Sequence, residues 1–396
     1  MPRKIILSTM DHSAEMTTSL QADLAQFGKQ MWLDIVYQEV EYSSGWSDFM
    51  RMAIYGGSPD VSEIGTTWIN DFVSMNVLRP FLPAEVRQLG GAETFVPAVW
   101  KSGCPAGKEV WAIPWMTDLS LIYYRRDLLE KAGVDEKNAF QTPGQIEQTL
   151  RQLQAAGIET PWVVPTRRSY ITIHNLAMWI WQAGGDFVDA RGKTVLLDQP
   201  NVQAAIRSYL SLFRYLSPEA RNLVERDADG LFISGRAAVT ISGPWAAISL
   251  AQNPQVAANL GLAIPFGCSY IGGSSLAVWK QTAVPEPVSK LITHLTNREF
   301  QTVFPRMVGL LPGRLDSLGA FPLPDASLYK VVAQALKTGR SVPTVSLWGS
   351  IEDRFAGEMA RIWAEVLDNP EPDLDAILDQ HLPTMVNRLN NMLSQP

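Results

Sequence analysis

What this chain has little of narrows its function before anything it contains. Of 396 residues only two are cysteine, Cys104 and Cys268, and only four are histidine, His12, His174, His294 and His381. None of them falls at metal-ligand spacing, so a zinc or iron centre is not expected. Two cysteines can make at most one disulfide, and two unlinked thiols is the simpler expectation. No run of Lys or Arg exceeds two residues and the formal net charge is −7, so the electrostatic footprint of a nucleic-acid binder is missing. No apolar run approaches the roughly 20 residues of a membrane-spanning helix. The richest, Leu176 to Ala183, stops at Gly184-Gly185. Met1-Pro2-Arg3-Lys4 begins like a signal peptide, but the apolar Ile5-Ile6-Leu7 is far short of a secretory core and reads as a first strand. The glycines of Gly272-Gly-Ser-Ser lack the Lys-Ser or Lys-Thr of a phosphate loop.

What is present is a foldable α/β chain. Hydrophobic residues make up 46% and charged ones 18%, which excludes a disordered chain, and the length predicts two domains. From Lys4 to about Ile113 short apolar strands alternate with amphipathic helices: Ile5–Leu7, a helix striped with Met16, Leu20, Leu24 and Phe27, Ile35–Val40, a helix with Trp46, Phe49, Met50 and Ala53, then Asp60–Ile64. That order implies a parallel sheet covered on both faces, with ligands at the carboxyl ends of its strands. The loops singled out are Met10–Ser13, Glu41–Trp46 and Gly65–Trp68.

Val110–Asp127 organises the rest. Trp111–Ile113 and Ser120–Tyr124 read as strands, and Pro114 predicts a turn over Pro114–Asp118 that carries Trp115 and Asp118. The pattern then restarts. Thr142-Pro143-Gly144-Gln145 is a capping box with proline at the first helical position. Trp162–Val164 is a strand, the polar loop Thr166–Tyr170 follows it, and Pro265–Ser269 reads as a second crossing. The strand after it opens with Gly272-Gly273, where glycine points to close approach by a ligand or by another segment. Leu310–Arg314 is a third possible crossing, and the remainder is helical.

Several segments together resemble the extracellular solute-binding proteins of carbohydrate ABC transporters, the family that includes maltose-binding protein. They are Gly56-Gly-Ser-Pro-Asp60-Val; Trp111-Ala-Ile-Pro-Trp-Met-Thr-Asp118 with Leu121-Ile-Tyr-Tyr-Arg-Arg-Asp127; Gly184-Gly-Asp186; Phe232-Ile-Ser-Gly-Arg-Ala-Ala238 with Thr240-Ile-Ser-Gly-Pro-Trp245; and Gly272-Gly-Ser-Ser-Leu276. The resemblance implies a two-lobed periplasmic binding protein of type II, each lobe a sheet flanked by helices, which closes on a sugar in the cleft. The first lobe would comprise 1–113, the hinge 114–118, the second lobe 119–264, a return to the first lobe 265–313, and a helical part of the second lobe 314–396. It further implies a protein without catalysis or cofactor, a monomer on the periplasmic or outer face of the membrane, which delivers a sugar or glycoside to permease subunits.

A sugar ring has C–H faces that lie on aromatic plates and a rim of hydroxyls that need partners. Trp46, Trp68, Trp115, Trp245 and Trp348 fall in loops or at helix starts and are candidate plates; core anchoring is the competing reading for each. By resemblance, Trp245 and Trp348 match stacking positions and Asp118 an acceptor beside the hinge. Asp11, His12 and Thr67 follow strands of the first lobe, and Arg167, Tyr170 and His174 follow one of the second. Gly273 completes the ligand-binding candidates. A secreted glycosidase or transglycosylase, with two carboxylates drawn from Asp11, Asp118 and Asp186, is the alternative of another class. A receptor for a charged solute such as a glycerophosphodiester would need Arg167, Arg168 or Arg314 as clamps.

Overall fold

Alternation within the strands decides how the first sheet is covered. In a computed structural model, which describes residues 2–41, 44–107, 109–343, 345 and 347–394, β1 (Arg3–Met10), β2 (Leu33–Val40), β3 (Val61–Gly65), β4 (Leu78–Arg79) and β5 (Ala112–Leu119) precede β6 (Leu121–Arg125), β7 (Trp162–Val163), β8 (Val239–Ser242), β9 (Leu260–Ala263), β10 (Ile271–Trp279) and β11 (Leu311–Pro312). The chain divides into two units. Unit 1 comprises Met1–Asp118, Ile271–Pro322 and Thr344–Gly349; unit 2 comprises Leu119–Tyr270, Leu323–Pro343 and Ser350–Pro396.

The sheet of unit 1 runs β11-β5-β10-β3-β1-β2, with β4 paired to β10. β2, β1 and β3 are parallel, as the strand–helix alternation predicts, and β10 enters antiparallel beside β3. Ile5, Leu7, Val61, Ile113, Trp115, Leu276 and Val278 face one core with Leu20, Leu24 and Phe27 of the helix Ala14–Met31. Ile64, Ala112, Ala277 and Trp279 face another with Phe49, Ile69 and Phe72. Over the central strands both faces are therefore covered, which is what strands with apolar residues on either side require, while the edge strand β2 stays partly exposed.

The sheet of unit 2 has four strands in the order β7-β8-β6-β9, with β6 antiparallel to both neighbours and β7 parallel to β8. Late helices complete it. Ala326–Thr338 packs on β9, and Leu374–Leu393 packs on the helix Pro200–Leu210.

The structure differs from the sequence reading at two crossings. Pro114 does not turn the chain: β5 is one strand from Ala112 to Leu119. Its ladder with β11 reaches only Pro312 opposite Met116, so the missing proline donor breaks no bond on that side. Leu310–Arg314 is likewise no crossing. Gly313 donates to the carbonyl of Trp115 (3.1 Å) and to Gln301 Oε1 (2.8 Å), and the chain stays with unit 1 to Pro322 rather than leaving at 314. Cys104 and Cys268 are both free thiols, and burial pushes the Cys104 thiol up to about 11. Among the described residues no helix is long and apolar enough to cross a membrane.

Candidate functional site

In unit 1 the candidates gather where β1 and β3 end. The Met10 N–H at the end of β1 donates to Glu63 Oε2 of β3 at 2.8 Å, and His12 Nε2 lies 3.5 Å from the same oxygen. Both side chains are nearly enclosed, at 9% exposed for His12 and 3% for Glu63. Burial works against a charged imidazole, but the hydrogen bond and charge of Glu63, with Asp11 and Glu39 behind it, raise the His12 pKa above its ordinary value. Asp11 is exposed and its N–H donates to the carbonyl of Val40 (2.9 Å). Thr67 is half-buried in the loop after β3, where its neighbour Thr66 donates from its backbone to the Gly273 carbonyl (3.0 Å).

A second cluster in this unit surrounds Asp71, a buried carboxylate in the short helix Ile69–Ser74. Its Oδ2 accepts from Trp46 Nε1 at 2.9 Å and from the Gly349 N–H at 3.2 Å. A Cβ on Gly349 would lie 2.2 Å from Trp46 Nε1, so only glycine fits beneath that indole. Burial pushes the Asp71 pKa up to about 6 against the pull of Trp46 and the backbone of Leu347–Gly349.

In unit 2 two arrangements carry the candidates. Trp245, second residue of the helix Pro244–Ser249, is half-buried with its Nε1 donating to Asp229 Oδ2 at 2.6 Å. The ring folds back over Gly243, where a Cβ would lie 2.1 Å away. The other arrangement is a stack: His174 lies on Tyr270 (3.9 Å between centroids, 12° between planes), Trp181 lies parallel to Tyr270 at 6.4 Å, and Arg340 sits 4.5 Å over Trp181. His174 Nε2 is 3.6 Å from Glu352. Tyr170 donates to Asp353 Oδ1 at 3.0 Å, with Arg168 paired to the same carboxylate. Arg167 is exposed.

Other candidates are kept inside. Trp115 is fully buried: its Nε1 donates to the Leu295 carbonyl (3.2 Å) and its ring stacks on Phe304 at 5.3 Å, so it is a core anchor of unit 1 and not a surface plate. Trp68 is 4% exposed and pressed against Gly45 and Gly65, and Trp348 is 1% exposed. Gly273, at φ +121°, is needed for close approach by another segment, since a Cβ would lie 2.2 Å from the Met116 carbonyl oxygen of β5. Asp118 is buried at 8% exposure as the last residue of unit 1 before the boundary. Arg314 is held by Asp316 through two bonds of 2.9 Å, so its fork is already filled.

The partners of these candidates, Glu63, Asp71, Asp229, Tyr270 and Glu352, are not among the residues that the sequence singles out. Glu63 alone carried a local signal, as a carboxylate inside an apolar strand. Among the described residues no three His, Cys, Asp or Glu side chains come together to hold a metal ion. What the two sets can do chemically is accept and donate hydrogen bonds beside fixed indole faces.

Known proteins share the fold of this chain. The family model described as bacterial extracellular solute-binding protein matches residues 13–302. A relative from Deinococcus radiodurans, named "Probable ABC transporter-binding protein", is 26% identical over 280 residues, covering 66% of this chain and 65% of its own. Among solved structures, a solute-binding protein from Thermotoga lettingae bound with α-D-tagatose superposes with a TM-score of 0.81 at 19% identity, over 99% of this chain and 100% of that one. The sugar-binding protein MalE of Xanthomonas citri gives 0.80 at 22% identity, over 99% and 97%.

Proposed function

Since this chain belongs to the bacterial extracellular solute-binding protein family, we propose that its solute is a small sugar or sugar-like polyol and that it delivers this solute, without chemistry, to the permease of an ABC transporter. The observation that carries the sugar reading is Trp245. Its indole N–H is tied to Asp229, so the ring is fixed in orientation while still partly open to solvent. A fixed aromatic face is what the C–H side of a pyranose or furanose lies on, at no rotamer cost on binding. The tagatose-bound and MalE structures support the class of solute, and the name of the Deinococcus relative supports the transporter.

Intrinsic fluorescence and melting temperature across monosaccharides, disaccharides and polyols test this. A ligand present at a hundredfold excess over its Kd stabilises the fold by about 2.7 kcal/mol. Trp245→Ala is expected to weaken the responding sugar by about 2 kcal/mol or more with its fold intact. Unchanged affinity in that variant removes Trp245 from the site. Silence across the panel sets the sugar reading aside, and turnover of aryl glycosides replaces it with a glycosidase.

A further inference from the structure

Beside the Tyr170–Asp353–Arg168 cluster, unit 2 carries a groove between the helices Trp348–Asp368 and Leu374–Leu393, about 460 Å³ in volume. Its walls follow from helical spacing. Arg354, Gly357, Glu358 and Arg361 fall on one stripe of the first helix, and His381, Thr384, Met385 and Arg388 on one stripe of the second. Gly357 opens the space between them, because a Cβ added there meets nothing within 4 Å. Arg168, from the loop ahead of the helix Tyr170–Gln182, joins the lining with Asp353.

The lining is cationic in a chain whose net charge is −7: four arginines stand against Asp353 and Glu358. Both carboxylates are already engaged. Asp353 accepts from Tyr170 and pairs with Arg168, while Glu358 accepts from Arg361 at 2.8 Å and faces His381 Nδ1 at 2.5 Å. On its far side His381 Nε2 meets Glu365 at 2.9 Å. Among the described residues, the side chains of Arg354, Arg388, Gln380 and Thr384 make no hydrogen bond or ion pair. The groove is thus lined by spare donors with its carboxylates spent.

We propose that this groove binds a phosphate-type oxyanion, presented either by a small phosphorylated molecule or by a lipid headgroup. A guanidinium offers a planar fork of N–H donors that matches two oxygens of a phosphate, and two unengaged forks with a hydroxyl and an amide satisfy most of the acceptor sites of one such group. His381 adds to the attraction on acidification. Burial opposes its charge, but Glu358 and Glu365 raise its pKa, and the charged groups facing it otherwise are Arg354, Arg361, Arg388 and Arg168 with Asp353.

The test uses the full chain at low ionic strength, titrated in a calorimeter with inorganic pyrophosphate and, separately, mixed with phosphatidylcholine vesicles with or without phosphatidic acid. Saturable binding is expected that weakens about tenfold or more in the Arg354→Ala, Arg388→Ala double variant. Both positions are exposed, so its melting temperature should match that of the unmodified protein. Binding of pyrophosphate assigns a free phosphorylated ligand; binding only to the phosphatidic acid vesicles assigns a headgroup. Failure of both probes overturns the site, as does binding that the double variant leaves unchanged. The Arg354→Lys, Arg388→Lys variant keeps the charge without the fork, and full recovery by it overturns the fork recognition. None of these results depends on the sugar reading.

Discussion

His12 and Glu63 show how one strand residue sets the chemistry of a neighbouring loop. Glu63 sits in β3, takes the Met10 N–H with one oxygen and offers the same oxygen to His12. Because His12 titrates above its ordinary 6.5 in the folded chain, the pair contributes its full stability below about pH 6.5 and loses it as pH rises through the higher folded value. Glu63→Gln keeps the shape and removes the charge. It is expected to bring the His12 titration down towards 6.5 by NMR, to flatten the fall in urea stability as pH rises above 6.5, and to cost about 1–3 kcal/mol at pH 6. An unaltered His12 titration would show that Glu63 does not govern it. At this scale the sequence announced the loop residues but not their partners. His12, Thr67 and Trp245 are singled out by position, since they follow strands or open a helix, whereas Asp229, 16 positions from Trp245, gives no local sign of holding that indole.

Between elements, Asp71 does work that no single element could. Its carboxylate ties the helix Ile69–Ser74 to Trp46 of the helix Gly45–Tyr55 and to the Leu347–Gly349 turn, which opens the helix Trp348–Asp368. Burial of this carboxylate pushes its pKa up to about 6 from 3.8. The folded chain therefore holds a proton there that the unfolded chain releases between those values, so this residue's contribution is fully present below about pH 4 and is lost as pH rises through 6. Asp71→Asn should remove that slope and leave the variant at pH 8 more stable by up to about 2–3 kcal/mol, provided its amide oxygen still accepts from Trp46. Equilibrium unfolding at pH 4.5 and pH 8 decides it, and parallel pH profiles for the two proteins would refute it. Element types were largely legible. Thr142 caps its helix by accepting from the Gln145 N–H at 3.2 Å, as the capping box predicts. The errors fell where proline was read as a break. Pro114 and Pro312 both lie in strands: Pro312 makes the last pair of the β11 ladder and Pro114 lies beyond it, so neither missing donor breaks a bond of that ladder.

On the scale of the whole chain, neither unit is continuous in sequence. The chain passes between them after Asp118, Tyr270, Pro322, Pro343 and Gly349. Each sheet is therefore finished by segments made long after its strands, and local pattern could not reveal which late helix belongs to which unit, since an amphipathic stripe says that a face is buried but not against what. The last helix makes this concrete. Leu378, Leu382, Val386 and Leu389 of Leu374–Leu393 are each buried to 1% exposure or less, that helix packs on Pro200–Leu210, Asn390 accepts from the Val195 N–H at 2.7 Å, and Trp363 of the preceding helix meets Tyr209 edge-on at 5.8 Å. Each leucine-sized side chain removed from such a core costs about 2–5 kcal/mol, so losing this set is of the same order as the 5–15 kcal/mol that holds a typical domain together. A chain ended at residue 343 is accordingly expected to keep helical far-ultraviolet dichroism, lose near-ultraviolet dichroism from the tryptophans of unit 2, bind a hydrophobic dye and lose the melting transition of unit 2. The truncation also removes Gly349, so Asp71 of unit 1 loses a donor and that unit should melt lower than in the full chain. A sharp melt with the full near-ultraviolet signal would mean that the strands of unit 2 and the helices before residue 343 already make a sufficient core.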